Sequence, residues 1–135
     1  MNSNSGDSML TQEKLDVIYE VLGGPLNFLW SSVGRANGVS SSQVDPNSFE
    51  ERKNDFLFLI GKLVDEGLLK LGNRKGEFFT GTAAELVEMF RSCFPSSDEE
   101  LETGIWFLID ECPFVAVWVH KGEGKDGEDY YEWAD

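Results

Sequence analysis

Apolar residues along the chain recur mainly at helical spacing, interrupted by two short stretches with the alternation of strands. Thr11 offers an N-cap, and Leu15, Ile18 and Leu22 share one helical face before Gly23 and Gly24 end it. Pro25 can open a second short helix carrying Leu26, Leu29, Trp30 and Val33, followed by a loop from Gly34 to Val44 with a serine run at 40–42. Asp45-Pro46, with Ser48 and Glu51 in capping-box spacing, predicts the longest helix, whose stripe is Phe49, Phe56, Leu59, Ile60, Leu63 and Val64 up to Gly67. Leu68–Leu71 and Glu77–Thr80 then read as strands around the turn 72–76. Thr82 with Glu85 starts a fourth helix bearing Leu86, Val87, Met89 and Phe90, which Pro95 ends. Ser97 with Glu100 starts a fifth, whose inner side is expected at Leu101, Ile105, Leu108 and Ile109, and Cys112-Pro113 breaks it. Phe114–Val119 has strand length and composition, 121–127 is a glycine-rich loop, and Asp129–Trp133 can return antiparallel.

The expected fold is therefore α+β, with about five helices packed on small antiparallel β-hairpins or a sheet. A flexible N-terminus, 1–8, precedes a single domain spanning 9–135. The order helix, strand, turn, strand occurs twice, and Phe58-Leu59-Ile60 is echoed by Phe107-Leu108-Ile109, a topological hint of two similar halves.

Charge changes this picture. The 135 residues carry a formal net charge of -14, and it is unevenly placed. From Gly81 onward fourteen acidic side chains face only Arg91, Lys121 and Lys125, while the six acids and six bases of 46–80 cancel. A one-signed surface selects partners of the opposite sign and disfavours duplex DNA and anionic membranes. An apolar content of 41% with ten Phe, four Trp and three Tyr argues for a folded core despite this charge.

Catalytic patterns are missing. The sequence has no Walker-type loop, no G-x-S-x-G elbow and no H-E-x-x-H. His120 is the single histidine and has no evident orienting partner, so no catalytic residue is expected. Cys93 and Cys112 sit in apolar stretches at a spacing that suits neither a metal site nor a secreted disulfide scaffold, and read as buried thiols. The acidic loop 123–129 lacks the order of a calcium loop, so neither a metal nor a cofactor is expected. No signal peptide or apolar span is visible, which makes a cytoplasmic protein the default expectation.

The acids at Asp98, Glu99, Glu100 and Glu102 suit the first turn of the fifth helix, where the helix dipole favours negative charge. That does not explain Glu123, Asp126, Glu128, Asp129, Glu132 and Asp135, which load the terminal hairpin as well. Interleaved with them are Trp118, Tyr130, Tyr131 and Trp133. Strand alternation puts Trp118 on one face with Phe114 and Ala116, and Val115, Val117 and Val119 on the other. These aromatics either complete the core or anchor an interface, where Tyr and Trp ringed by charge are typical. A rival reading comes from Leu68–Thr80, where the long helix running into 67–71 and the basic turn after it look like the recognition helix and wing of a winged-helix DNA-binding regulator, with Arg52, Lys53, Lys62, Lys70, Arg74 and Lys75 as its phosphate contacts. Glu50, Glu51, Asp55, Asp65 and Glu66 on that helix oppose it.

The stretch Phe56–Val119, with FLFLIGKLVDEGLLKL and GIWFLIDECPFVAVWV as its most recognisable pieces, resembles a small family of acidic bacterial proteins of unknown function. Some members stand beside toxin or adhesin genes, which is similar to the setting of immunity proteins in contact-dependent inhibition and other polymorphic-toxin systems. The resemblance implies a partner that is a toxin domain, and charge independently implies a basic protein. The expected function is thus neutralisation of a cognate basic toxin, for example a nuclease, with a regulatory or adaptor module for another basic protein, or the winged-helix-like DNA-binding regulator, as the alternative.

Overall fold

The computed structural model describes residues 10–40 and 43–134; the expected flexible stretch 1–8 lies outside them. Among these residues, five α-helices and a three-stranded antiparallel sheet form an α+β domain whose core lies against one face of the sheet. The helices are α1 (Gln12–Tyr19), α2 (Leu26–Ala36), α3 (Phe49–Asp65), α4 (Ala83–Cys93) and α5 (Asp98–Leu101). The strands are β1 (Leu69–Gly72), β2 (Val115–His120) and β3 (Tyr130–Ala134), in the order β1-β2-β3. The two predicted hairpins therefore merge into one sheet with β2 at its centre.

Local signals explain most boundaries. The Thr11 hydroxyl accepts from Lys14 N at 3.2 Å and caps α1. Thr82 and Glu85 form a reciprocal capping box at the start of α4, Thr82 Oγ1 accepting from Glu85 N at 3.1 Å and Glu85 Oε1 from Thr82 N at 2.8 Å. α2 runs through Gly34 to Ala36, beyond the expected loop start, because Val33 and Gly34 are buried and the turn is closed by Val39 N donating to Gly34 O.

Three expectations need correction. Ser48 does not cap α3; its Oγ donates to Asp45 Oδ2 at 2.7 Å and accepts from Arg52 Nε at 2.9 Å. The need of a buried guanidinium for acceptors outweighs one capping bond. The strand expected at Glu77–Thr80 is reduced to a single bridge, Gly72 with Phe78. The fifth helix stops after one turn at Glu102, which is left-handed at φ 51°, and continues as a 3-10 segment, Glu102–Leu108. The tighter winding shifts the inner face, so Trp106 and Phe107 enter the core while Ile105 and Leu108 stay 51% and 43% exposed. The echoed triplets are consequently not equivalent: Phe58-Leu59-Ile60 is α-helical, and Phe107-Leu108-Ile109 is not.

Rings dominate the core. Phe56 and Phe90 meet edge-to-face at 5.5 Å, Phe90 stacks on Phe114 at 4.5 Å, and Trp30 reaches Phe49, Phe56, Phe94 and Phe107. Leu69, Leu71, Ala116 and Trp118 present the sheet's helix-facing side to this cluster. Cys112 is fully buried, and burial pushes its thiol up to about 12; Cys93 is half-buried, and both thiols are free.

Candidate functional site

Alternation along β2 decides which hairpin aromatics reach the surface. Trp118 points to the helix side, is buried, and donates its indole N–H to Gly24 O at 2.8 Å, so it is a core residue and not a surface anchor. The register pairs Val117 with Trp133 and Val119 with Tyr131, and directly paired residues share a face. Trp133 and Tyr131 therefore lie on the outer face, away from the helices.

A third ring joins them there. In the segment after the turn, Phe79 packs inward on Phe114 at 4.7 Å, and its neighbour Phe78 points outward. Phe78 stacks on Trp133 at 5.3 Å and meets Tyr131 edge-on at 5.4 Å. Lys70, paired with Val117 from the β1 side, places its ammonium 5.3 Å from the Phe78 ring centre and 5.9 Å from that of Tyr131. The three rings lie on the same face as Val117, which is fully buried, yet remain 36% (Trp133), 38% (Tyr131) and 40% (Phe78) exposed. Trp133 lies so close over Gly72 that a Cβ there would overlap its indole ring, which is why a glycine ends β1. The result is an aromatic platform: rings fixed by mutual packing, each offering apolar surface to solvent.

Beside the platform is the acidic loop. Glu123, Asp126, Glu128 and Asp129 are all exposed between β2 and β3. The loop is shaped by a bond from Gly124 N to Glu128 O at 2.6 Å and by Gly122 N donating to Asp129 Oδ1 at 3.1 Å. Asp126 holds a left-handed backbone at φ 59°. On the helix-facing side of the hairpin, Glu132 bonds His120 Nε2 at 2.9 Å and Tyr130 lies 5.7 Å from the His120 ring.

The acids of α5 form a different group. Asp98 is buried and ion-paired with Arg52, so it is not a surface charge. Burial alone would raise its carboxyl, but the Arg52 guanidinium and the Asp45 N–H hold it below the usual carboxylate range. Glu100 turns back to accept from Ser96 N and Ser96 Oγ, bonds that lower its carboxyl too, while Glu99 and Glu102 are exposed. Arg52 anchors α5 near the N-terminal end of α3, whereas Lys121, at the entry to the acidic loop, donates to Glu66 O at the C-terminal end. The two acidic groups are thus separated by about the length of a 17-residue helix, ~25 Å.

The basic residues of 52–75 are mostly committed. Arg52 is buried, and Arg74 donates to the carbonyls of Phe107, Ile109 and Cys112 at 3.1, 2.8 and 3.0 Å. Lys62 pairs with Glu66 at 2.7 Å, and Lys53 lies over Phe94. Among the described residues no group of three His, Cys, Asp or Glu side chains is placed to hold a metal ion. No helix among them is long and apolar enough to cross a membrane.

Residues 64–134, which contain β1, the platform and the acidic loop, match the model of a family described as a protein of unknown function, DUF596. The chain belongs to that family. Its fold is similar to that of a solved structure described as an uncharacterized protein conserved in bacteria, from Neisseria meningitidis, with a TM-score of 0.60 and 28% identity over 88% of this chain and 84% of that one. No curated protein matches. The family region leaves out α1, α2 and nearly all of α3, so the sheet and its outer face belong to the part of the chain that the family shares.

Sequence reasoning missed two platform members, Phe78 and Lys70. The signal for Phe78 was the pair Phe78-Phe79 in a segment of strand character, since adjacent residues there must point to opposite sides. Lys70 needed the register of β1 against β2, which joins residues far apart in the chain.

Proposed function

We propose that this member of the DUF596 family is a binding protein that captures and blocks a basic protein partner, of the immunity type that neutralises a toxin domain inside the cell carrying both. The observation that carries this reading is the half-exposed platform of Phe78, Tyr131 and Trp133 beside the acids of 123–129. Rigid aromatic rings supply contact energy at low entropic cost, and surrounding charge supplies orientation and a fast encounter. Many toxin domains act on nucleic acid through basic clefts, and an acidic partner that covers such a cleft blocks access to substrate.

The reading makes the protein a binder and not an enzyme. His120 is engaged with Glu132 on the strand surface, and the buried Cys112 thiol is raised by desolvation, the reverse of an activated nucleophile. It also favours a protein partner over a phosphate backbone, because Arg52 and Arg74 spend their donors inside the fold. The test is co-expression with the C-terminal domain of the protein encoded immediately upstream. Growth arrest by that domain, relieved by this chain, is the expected result; a harmless domain, or arrest without relief, contradicts the reading.

A further inference from the structure

β3 forms one border of the sheet, and the direction of its peptide groups follows from the ladder. Val119 N donates to Leu68 O, so on β2 the residues Val115, Val117 and Val119 direct their backbone groups to β1. Ala116, Trp118 and His120 therefore bond β3, at Ala134, Glu132 and Tyr130. This parity turns the N–H and C=O of Tyr131 and Trp133 outward, away from the sheet.

Natural edges are usually guarded by proline, lysine, a bulge or a covering segment. The residues of β3, Tyr-Tyr-Glu-Trp-Ala, include neither proline nor lysine, and the pairing with β2 is continuous from Tyr130 to Ala134. Four of the five are exposed. What guards this edge is negative charge, from Glu132 within it and Glu128 and Asp129 just before it. That guard discriminates. Antiparallel pairing of two copies about Glu132 would set this carboxylate opposite itself, in chains each carrying -14, whereas a basic strand meets attraction at the same place.

We propose that β3 accepts an extended, basic segment of the partner protein as a fourth strand. The mode rests on the binding reading above and adds its recognition pattern. Partner residues opposite Tyr131 and Trp133 fall on the outer face, where apolar side chains extend the platform. The residue opposite Glu132 falls on the other face, where a Lys or Arg pairs with that carboxylate. An alternation of apolar and basic side chains is thus the preferred ligand, held by main-chain bonds and sorted by charge.

The probe is a capped peptide of alternating Lys and Val, seven residues long, titrated into the ¹⁵N-labelled full chain. The expected result is that amide exchange at Tyr131 and Trp133 slows at least tenfold. N-methylation of the peptide at alternate residues on its bonding edge, with charge and side chains retained, should abolish this protection. Equal binding by the methylated peptide, or no protection at these two amides, overturns the proposal. Protection that rises with protein concentration without peptide, accompanied by dimerisation in sedimentation, assigns the edge to a second copy and also overturns it. Growth protection is read separately: relief of toxin arrest with no strand pairing rejects only the mode, and strand pairing with no relief rejects only the immunity reading.

Discussion

Arg52 and Asp98 make a two-bond ion pair inside the fold, Nη1 to Oδ1 at 2.6 Å and Nη2 to Oδ2 at 2.7 Å, with both side chains at most 5% exposed. The pair ties α3 to α5 and is completed by Asp45, whose N–H bonds Asp98 and whose C=O accepts from Arg52. The guanidinium also lies over the rings of Trp30 and Phe49, so its charge is enclosed by bonds and aromatic faces. Removing one partner leaves the other charge buried and unpaired, which costs about 3–5 kcal/mol. Asp98→Ala is therefore expected to lower the unfolding free energy by about that amount in urea titration, while Glu99→Ala changes it by less than about 0.5 kcal/mol.

The same pair sets part of the acid response. Because the Asp98 carboxyl is lowered in the folded state, its contribution is fully present above the ordinary carboxylate range and is lost as pH falls through the folded value. Asp98→Asn should reduce the loss of stability as pH falls below the ordinary carboxylate value of about 4, measured as a shallower slope of unfolding free energy against pH. An unchanged slope would show that this carboxyl does not titrate with unfolding.

Arg74 should behave as a structural residue. Its bonds to the carbonyls of Phe107, Ile109 and Cys112 are charge-assisted, a class worth about 1.5–3 kcal/mol per bond when shielded, but the side chain is only partly buried and water replaces much of what the bonds supply. Arg74→Met is expected to destabilise by about 2 kcal/mol, and Lys75→Met by under about 0.5 kcal/mol, since the Lys75 side chain is exposed. Equal effects of the two would contradict the assignment and reopen the phosphate-contact reading of this turn.

The platform makes a prediction at a residue without a side chain. Gly72→Ala should push Trp133 off the sheet while the core stays folded, because the methyl group would occupy the place of the indole edge. The expected readout is a red-shifted Trp emission and altered near-ultraviolet dichroism, with a stability loss of about 1 kcal/mol. Native spectra for this variant would contradict the close packing of Trp133 on β1.

Where sequence pattern and structure agree, the deciding forces are local. Thr82 and Glu85 cap α4 with bonds three residues apart, and the alternation of β2 places Trp118 with Phe114 and Ala116 on the core side. Disagreement follows long-range demands. Ser48 is drawn from capping to serve Arg52, whose partner Asp98 is 46 residues away. The spacing of Leu101, Ile105 and Leu108 fits an α-helix, but left-handed Glu102 and Gly104 at φ 105° change the winding and bring Trp106 and Phe107 inward. Of the expected surface residues, Tyr131 and Trp133 share the outer face of the sheet, and the loop acids stand at the turn between β2 and β3. Asp98 and Trp118 are interior, and Glu99, Glu100 and Glu102 stand at the far end of α3.

Charge steering has its own signature. Replacing Glu123 and Glu128 by Gln and Asp126 and Asp129 by Asn keeps side-chain shape, and Asn retains the acceptor for Gly122 N. The variant should fold normally and associate with the upstream-encoded domain more slowly, with a weaker dependence of association rate on salt. Stopped-flow rates across a salt series check this; a rate independent of salt in the unmodified protein would contradict steering.

Binding of the upstream-encoded domain by Trp133→Ala is the most direct test of the platform. Calorimetric titration, on protein shown by dichroism to be folded, should give an affinity weakened at least about thirtyfold, the scale of a central aromatic anchor. Val17→Ala, an exposed apolar residue on α1, should bind as the unmodified chain does. An unchanged affinity for folded Trp133→Ala would contradict the account.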